Sequence, residues 1–119
     1  MKMFRYLVLS SALALSAFAA PRDEIEALLH YIGNLEGASF IRNGDAHTPK
    51  EAESHLRMKW EKQEAKVTTA EDFIRLCATR SVVSEKAYFI RFKDGHEVES
   101  AVVLLKQLAV IRKPQPGAH

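Results

Sequence analysis

Phe40-Ile41-Arg42-Asn43-Gly44-Asp45-Ala46-His47-Thr48-Pro49-Lys50-Glu51 decides the fold, because this one stretch specifies a strand, a tight turn and a helix start. Phe40-Ile41 is a short strand-like pair. Asn43-Gly44 is a strong turn dipeptide, since both residues tolerate positive φ. Thr48 is placed to cap a helix, Pro49 suits the first helical position, and Glu51 closes a capping box. The spacing predicts a helix from Pro49 to Ala65 or Lys66. Ala52, Leu56 and Trp60 form its apolar stripe, Val67 lies just beyond, and Glu53, Arg57 and Glu61 form an i, i+4 ladder on another face.

Upstream, Asp23 and Glu26 have capping-box spacing. Ile25, Leu28, Leu29, Ile32 and Leu35 then recur at helical period until Glu36-Gly37 ends the run. Downstream, Thr68 or Thr69 caps a third helix with Glu71 and Asp72 in its first turn, where the helix dipole favours negative charge. Phe73, Ile74, Leu76 and Cys77 form its inner surface, and it is expected to end near Arg80. Ser84-Glu85-Lys86 reads as a turn. Tyr88, Ile90 and Phe92 alternate with Phe89, Arg91 and Lys93 as in a strand. Asp94-Gly95 turns the chain into a second strand around Glu97-Val98. Ser100 can cap a last helix, Ala101 to Arg112, with Val102, Leu105, Leu108 and Ala109 inward.

The sum is a mostly helical α+β fold of about four helices and one antiparallel β-hairpin. A lone hairpin is not independently stable, so it must pack on the helices, and Phe40-Ile41 is available as a third short strand.

The first nineteen residues indicate where the protein works. Lys2 and Arg5 precede an apolar run from Leu7 to Phe18, and Ala17-Phe18-Ala19 supplies the small-x-small pattern of a signal-peptidase site. Cleavage after Ala19 avoids a proline directly against the scissile bond. About a dozen apolar residues fall short of the ~18 to 20 that a permanent membrane helix needs, so the processed chain is not expected to span a membrane. No cysteine follows the cleavage site to carry a lipid. Residues 20–112 are then expected to form one domain of modest core, with 113–119 as a flexible tail.

The full chain has 17 Lys and Arg against 15 Asp and Glu. Lys2 and Arg5 leave with the leader, so the processed chain has no net charge. Without a positive field there is no electrostatic footprint for nucleic acid. Cys77 is the single cysteine and can make no internal disulfide.

The densest polar cluster runs from Arg42 to His55. Turns and caps select such residues on their own. A loop mounted on a well-capped helix is also a common recognition surface, here offering Arg42, Asn43, Asp45, His47 and His55. Asp45, His47, Glu51 and His55 are zinc-type donors, but H-E-x-x-H spacing is missing and no metal or other cofactor is implied. Lys59 shares the helix face of Leu56 and Trp60. It either snorkels past Trp60 into water, or pairs in the interior with Asp45, Glu71 or Asp72, or serves as a catalytic lysine of depressed pKa. Cys77 is expected to be a buried inert thiol. A nucleophilic role needs a base such as His55 brought close, and an intermolecular disulfide is the third option. No Ser-His-Asp order, glycine-rich phosphate loop or paired carboxylates stand out.

The run from Phe40 to Thr48, continued by Glu51-Ala52 and Ser54-His55-Leu56-Arg57, together with Thr69-Ala70-Glu71-Asp72-Phe73-Ile74, the leader and the Tyr-containing hairpin with its Asp-Gly turn, resembles the YfeK-like family of small secreted bacterial proteins. The resemblance covers nearly the whole processed chain. It implies a Gram-negative periplasmic location and assigns no catalytic residue.

The reading that follows is a non-enzymatic binding module whose partner is an envelope protein or other envelope component, with Arg42, Asn43, Asp45, His47, His55 and Lys59 as its surface and the oligomeric state left open. A small metal or thiol enzyme using His47, Glu51 and His55, or Cys77, is the alternative from another class. A small-ligand carrier is a third, and calls for a cavity lined by Trp60, Phe73 and Tyr88. N-terminal sequencing of the exported protein should begin Ala20-Pro21-Arg22; a chain still starting at Met1 would contradict the leader.

Overall fold

A computed structural model describes residues 20–114; the leader and residues 115–119 of the tail lie outside the described residues. The order is helix α1 (Pro21–Gly33), strands β1 (Ser39–Arg42) and β2 (Asp45–His47), helix α2 (Pro49–Lys62), a 3₁₀ turn (Glu64–Lys66), helix α3 (Ala70–Cys77), strands β3 (Phe89–Arg91) and β4 (Glu97–Glu99), and helix α4 (Ser100–Arg112). None of these helices is long and apolar enough to cross a membrane.

The fold is α+β, as the patterning predicts, with a larger sheet than one hairpin. Four strands lie in the order β2-β1-β3-β4, all antiparallel. Asn43 and Gly44 both adopt positive φ, 53° and 83°, so the turn after β1 closes a hairpin of its own. β1 then pairs with β3, setting Phe40 opposite Ile90 and joining the two hairpins. Hydrogen bonding between the strands explains why Ala46-His47 is a strand despite its weak pattern.

Because side chains alternate across a strand, the register puts His47, Phe40, Ile90 and Val98 in one row on one face. Phe40 and Ile90 are buried in the same core as Leu28, Leu29 and Ile32 of α1 and Phe73 of α3. α1 packs against all three other helices, α2 rests on β1, and α4 rests on β3 and β4.

Helix caps follow local chemistry. The Thr48–Glu51 capping box is fully formed, with the Glu51 amide donating to Thr48 Oγ1 and the Thr48 amide to Glu51 Oε1. Thr69 Oγ1 accepts from the Asp72 amide. Thr68 donates to the Asp72 carboxylate through both its amide and its hydroxyl, and these bonds with Arg75 hold that carboxyl down at about 2.

Other expectations are corrected. α1 begins at Pro21, because proline at the first helical position starts the helix without a side-chain cap at Ala20, and Asp23 falls inside the first turn. It ends at Gly33, capped by Asn34. α2 stops at Lys62, α3 at Cys77 rather than Arg80, and Ser100 is the first residue of α4 rather than its cap. The inner face of α4 is Val103, Leu104 and Leu108, whereas Val102 (41% exposed), Leu105 (49%) and Ala109 face outward. The run Ala101 to Leu105 is apolar on every side, so its periodicity does not select a face. Of the predicted ladder, Arg57 pairs with Glu53 and reaches across to Glu26 on α1, while Glu61 makes no ion pair among the described residues.

Ile90 has no exposed surface. Ile90→Ala should cost about 2–5 kcal/mol in urea unfolding, whereas Val83→Ala, at a position 94% exposed, should change stability by less than about 0.5 kcal/mol.

Candidate functional site

Two local facts position the site. The capping box fixes how α2 turns, so that Glu51, His55 and Lys59 fall in an i, i+4 line beside the core stripe Ala52, Leu56 and Trp60. On the sheet, Arg42 and Tyr88 have the same parity as the buried Phe40 and Ile90. Extending the β1–β3 register by one step places Arg42 opposite Tyr88. The polar line of α2 therefore meets Arg42 and Tyr88 across the layer between helix and sheet.

The contacts form a chain. An Arg42 guanidinium nitrogen lies 2.8 Å from His55 Nδ1 and 3.0 Å from Nε2. His55 Nε2 lies 3.4 Å from Tyr88 Oη, and the two rings meet edge to face at 6.1 Å. Lys59 Nζ donates to Tyr88 Oη at 3.0 Å and to the Arg80 carbonyl at 3.2 Å. A neutral His55 that accepts from Arg42 at Nδ1 and donates to Tyr88 from Nε2–H satisfies all three side chains. Burial, then the charges of Arg42, Lys59, His47 and Lys62, lower the His55 pKa to about 4.

Lys59 is only 8% exposed, and no carboxylate lies within ion-pair distance of it among the described residues. It neither snorkels to water nor pairs with Asp45, Glu71 or Asp72. Asp72 bonds Thr68 and Arg75, and Glu71 shares Arg112 with Glu24. Arg42 likewise has no carboxylate partner among the described residues.

Beside this chain lies a partly open cavity of about 320 Å³. Phe40, Ile41, Leu56 and Met58 make its walls largely apolar, and Arg42, His47, Glu51, His55, Tyr88 and Ser100 also line it. The cavity involves Tyr88, but not the Trp60 and Phe73 expected of a carrier site; those two rings pack edge to face within the core. Ser100 is 1% exposed, and its amide donates to the Tyr88 carbonyl at 2.9 Å. Its hydroxyl and His47 Nε2 have no hydrogen-bond partner. Tyr88 is expected only in the carrier reading, beside Trp60 and Phe73, and Ser100 only as a helix cap. The alternation Tyr88-Ile90-Phe92 predicts an inward Tyr88, but nothing local connects it to Arg42 and His55, or Ser100 to α2.

The six predicted residues thus divide. Arg42, His47 and His55 line the cavity, and Lys59 backs it through Tyr88. Asn43 instead ties its turn to the 81–86 loop by accepting from the Ser84 hydroxyl, and Asp45, opposite Arg42 in the register, is exposed and not part of the lining. His47 Nδ1 approaches the Glu51 carboxylate at 3.9 Å, but that carboxylate serves the helix cap. No group of three or more His, Cys, Asp or Glu side chains able to hold a metal occurs among the described residues. Cys77 is fully buried, and desolvation pushes its thiol pKa up against the weaker opposing effect of Lys59, away from the thiolate a nucleophile needs.

The sequence family agrees with this geometry in extent. Residues 19–112 match the model of a family of unknown function (DUF5329), and the chain belongs to that family. It is similar to the uncharacterized protein YfeK of Salmonella typhimurium, with 41% identity over 64 residues, which covers 54% of this chain and 53% of that one. The YfeK-like resemblance read from the sequence therefore holds. No solved structure matches significantly.

His55 supplies a pH signature. Its ordinary pKa of 6.5 applies to the unfolded chain, so between pH 6.5 and about 4 the unfolded state binds more protons than the folded one. Its contribution to stability is present above pH 6.5 and is lost as the pH falls to about 4. The unfolding temperature should decline with acidification in that window, and His55→Gln should flatten the decline. NMR titration of the ring should give a midpoint near 4.

Proposed function

We infer that this protein is a non-enzymatic binding module of the cell envelope, holding a small, largely apolar ligand in the cavity between the β1–β2 hairpin and α2. One observation carries this reading. Among the described residues, the two buried side-chain polar atoms without a hydrogen-bond partner, His47 Nε2 and Ser100 Oγ, both belong to residues lining this cavity. Buried polar atoms are nearly always partnered, and leaving one unpaired costs about 1–3 kcal/mol. Two such atoms at one apolar cavity are groups that a ligand can satisfy. The size supports the same reading, since small-molecule sites begin at roughly 300 Å³ and combine apolar walls with a few polar groups. The envelope assignment is supported by the leader pattern of Met1 to Ala19. A protein partner would use the exposed turn at Asn43 and Asp45, which carries no comparable unsatisfied group.

The neutral dye N-phenyl-1-naphthylamine tests the cavity. It should bind the purified protein saturably at one site with a rise in fluorescence. Ser54 is exposed on the cavity wall, so Ser54→Trp should abolish the signal while leaving the unfolding free energy within about 0.5 kcal/mol of wild type. No saturable binding, or equal binding by Ser54→Trp, would overturn the reading.

A further inference from the structure

The polar groups at the cavity are not a neutral mixture. Arg42 uses one terminal guanidinium nitrogen on His55, and its Nε and second terminal nitrogen make no hydrogen bond among the described residues. Tyr88 Oη sits close to both Lys59 Nζ and His55 Nε2 and accepts from them, which leaves its own proton free to donate. The Ser100 hydroxyl is an unpaired buried donor. Behind them lies the Lys59 ammonium, a buried cation with no carboxylate counterion among the described residues.

No carboxylate reaches the Arg42 guanidinium or the Lys59 ammonium within ion-pair distance among the described residues. Glu51 lines the cavity but commits its Oε1 to the α2 cap, Glu53 pairs with Lys50 and Arg57, and Asp45, set opposite Arg42 by the β1–β2 register, is exposed and outside the lining. The end of the site formed by Arg42, Tyr88 and Ser100 is thus rich in donors and positive charge, and the walls are apolar; the Glu51 carboxylate lies toward His47. An isolated buried cation is costly unless paired, so an anion held here gains more than it would at the surface.

We propose that the cavity binds an amphiphilic monocarboxylate, with its carboxylate on Arg42 and its aliphatic body against Phe40, Ile41, Leu56 and Met58. This rests on the ligand-binding reading above. The planar guanidinium edge left free on Arg42 matches a carboxylate in bidentate geometry. Tyr88 and Ser100 supply further donors, and Lys59 acts through the tyrosine as a second positive charge. A phosphate dianion is less well matched, because it brings two negative charges to one guanidinium, while the Lys59 ammonium is engaged by the Arg80 carbonyl and Tyr88 Oη. The apolar walls give a chain of medium length its place out of water.

Isothermal titration of the purified protein with octanoate, 1-octanol and octylammonium separates charge from chain. Octanoate is expected to bind at one site, octanol about tenfold more weakly, and octylammonium more weakly still. Arg42→Gln should weaken octanoate by about tenfold while leaving octanol within about twofold. Arg42→Lys, which keeps the charge but loses the planar fork, should fall between. Octanoate, but not octanol, should raise the NMR titration midpoint of His55, because a neighbouring anion offsets the repulsion from Arg42 and Lys59. That readout uses the wild-type protein and does not depend on any variant folding. Equal binding of octanoate and octanol with an unmoved His55 would overturn the anion preference while leaving a ligand cavity in place. Failure of all three probes, together with no dye binding, would overturn the cavity reading itself.

Discussion

The antiparallel pairing of β1 with β3, which sets Phe40 opposite Ile90, is the contact on which the rest of the structure depends. Each hairpin alone is too short to be stable in water; joined, they make a four-stranded sheet with one face on the helices. The pairing links residues about fifty positions apart. It therefore carries a loop-closure cost that burial of Phe40 and Ile90 in the α1 core must offset. The same register carries Tyr88 to Arg42, and without it the polar line of α2 would face no partner. Sheet closure and site assembly are one event.

The second constraint is the burial of Lys59. Moving an ammonium out of water is unfavourable, and the usual remedy is a carboxylate. Here the remedy is a carbonyl, a phenol oxygen and neutral imidazole chemistry nearby. His55 absorbs part of the strain by remaining uncharged, since a proton on its ring would place a third positive charge between Arg42 and Lys59. Elsewhere the fold pairs its charges across helices. Arg112 of α4 grips Glu24 of α1 at 2.8 and 2.9 Å and Glu71 of α3 at 2.6 and 3.1 Å, closing the helical layer at the far end of the chain. The other lysines and arginines without a carboxylate partner among the described residues are exposed to water, so the buried Lys59 and half-buried Arg42 beside the cavity stand apart.

What was legible in the sequence was what is local. The Thr48 capping box, the Thr69 cap, the Asn43-Gly44 turn and the core stripes of α1 and α2 each depend on residues within one or two turns of chain. Arg42, His47 and His55 were picked out for the same reason, being dense and polar around a cap. The face of α4 was not legible, because Val102, Val103, Leu104 and Leu105 are apolar on all sides and only the packing partners choose among them. Tyr88 is read from the sequence beside Trp60 and Phe73 rather than beside Arg42 and His55, and Ser100 is not assigned to the site, since their relation to Arg42 and α2 exists only through the β1–β3 register. Asn43 and Asp45 were grouped with the site by proximity in sequence, yet the hairpin directs one to Ser84 and the other to solvent.

One helix serves both core and site, and this explains why a short cap controls so much. Ala52, Leu56 and Trp60 point into the core, while Glu51, His55 and Lys59, each one residue earlier, lie about 100° around the axis. Core packing locks the rotation of α2, so the polar line has no freedom to turn away from the sheet. Glu51 ends that line by closing the cap, which leaves His55 and Lys59 facing Arg42 and Tyr88 without a carboxylate between them. A positive, donor-rich end of the cavity is therefore a consequence of how the helix starts. The residue that could have neutralised it is the one that holds the helix in place.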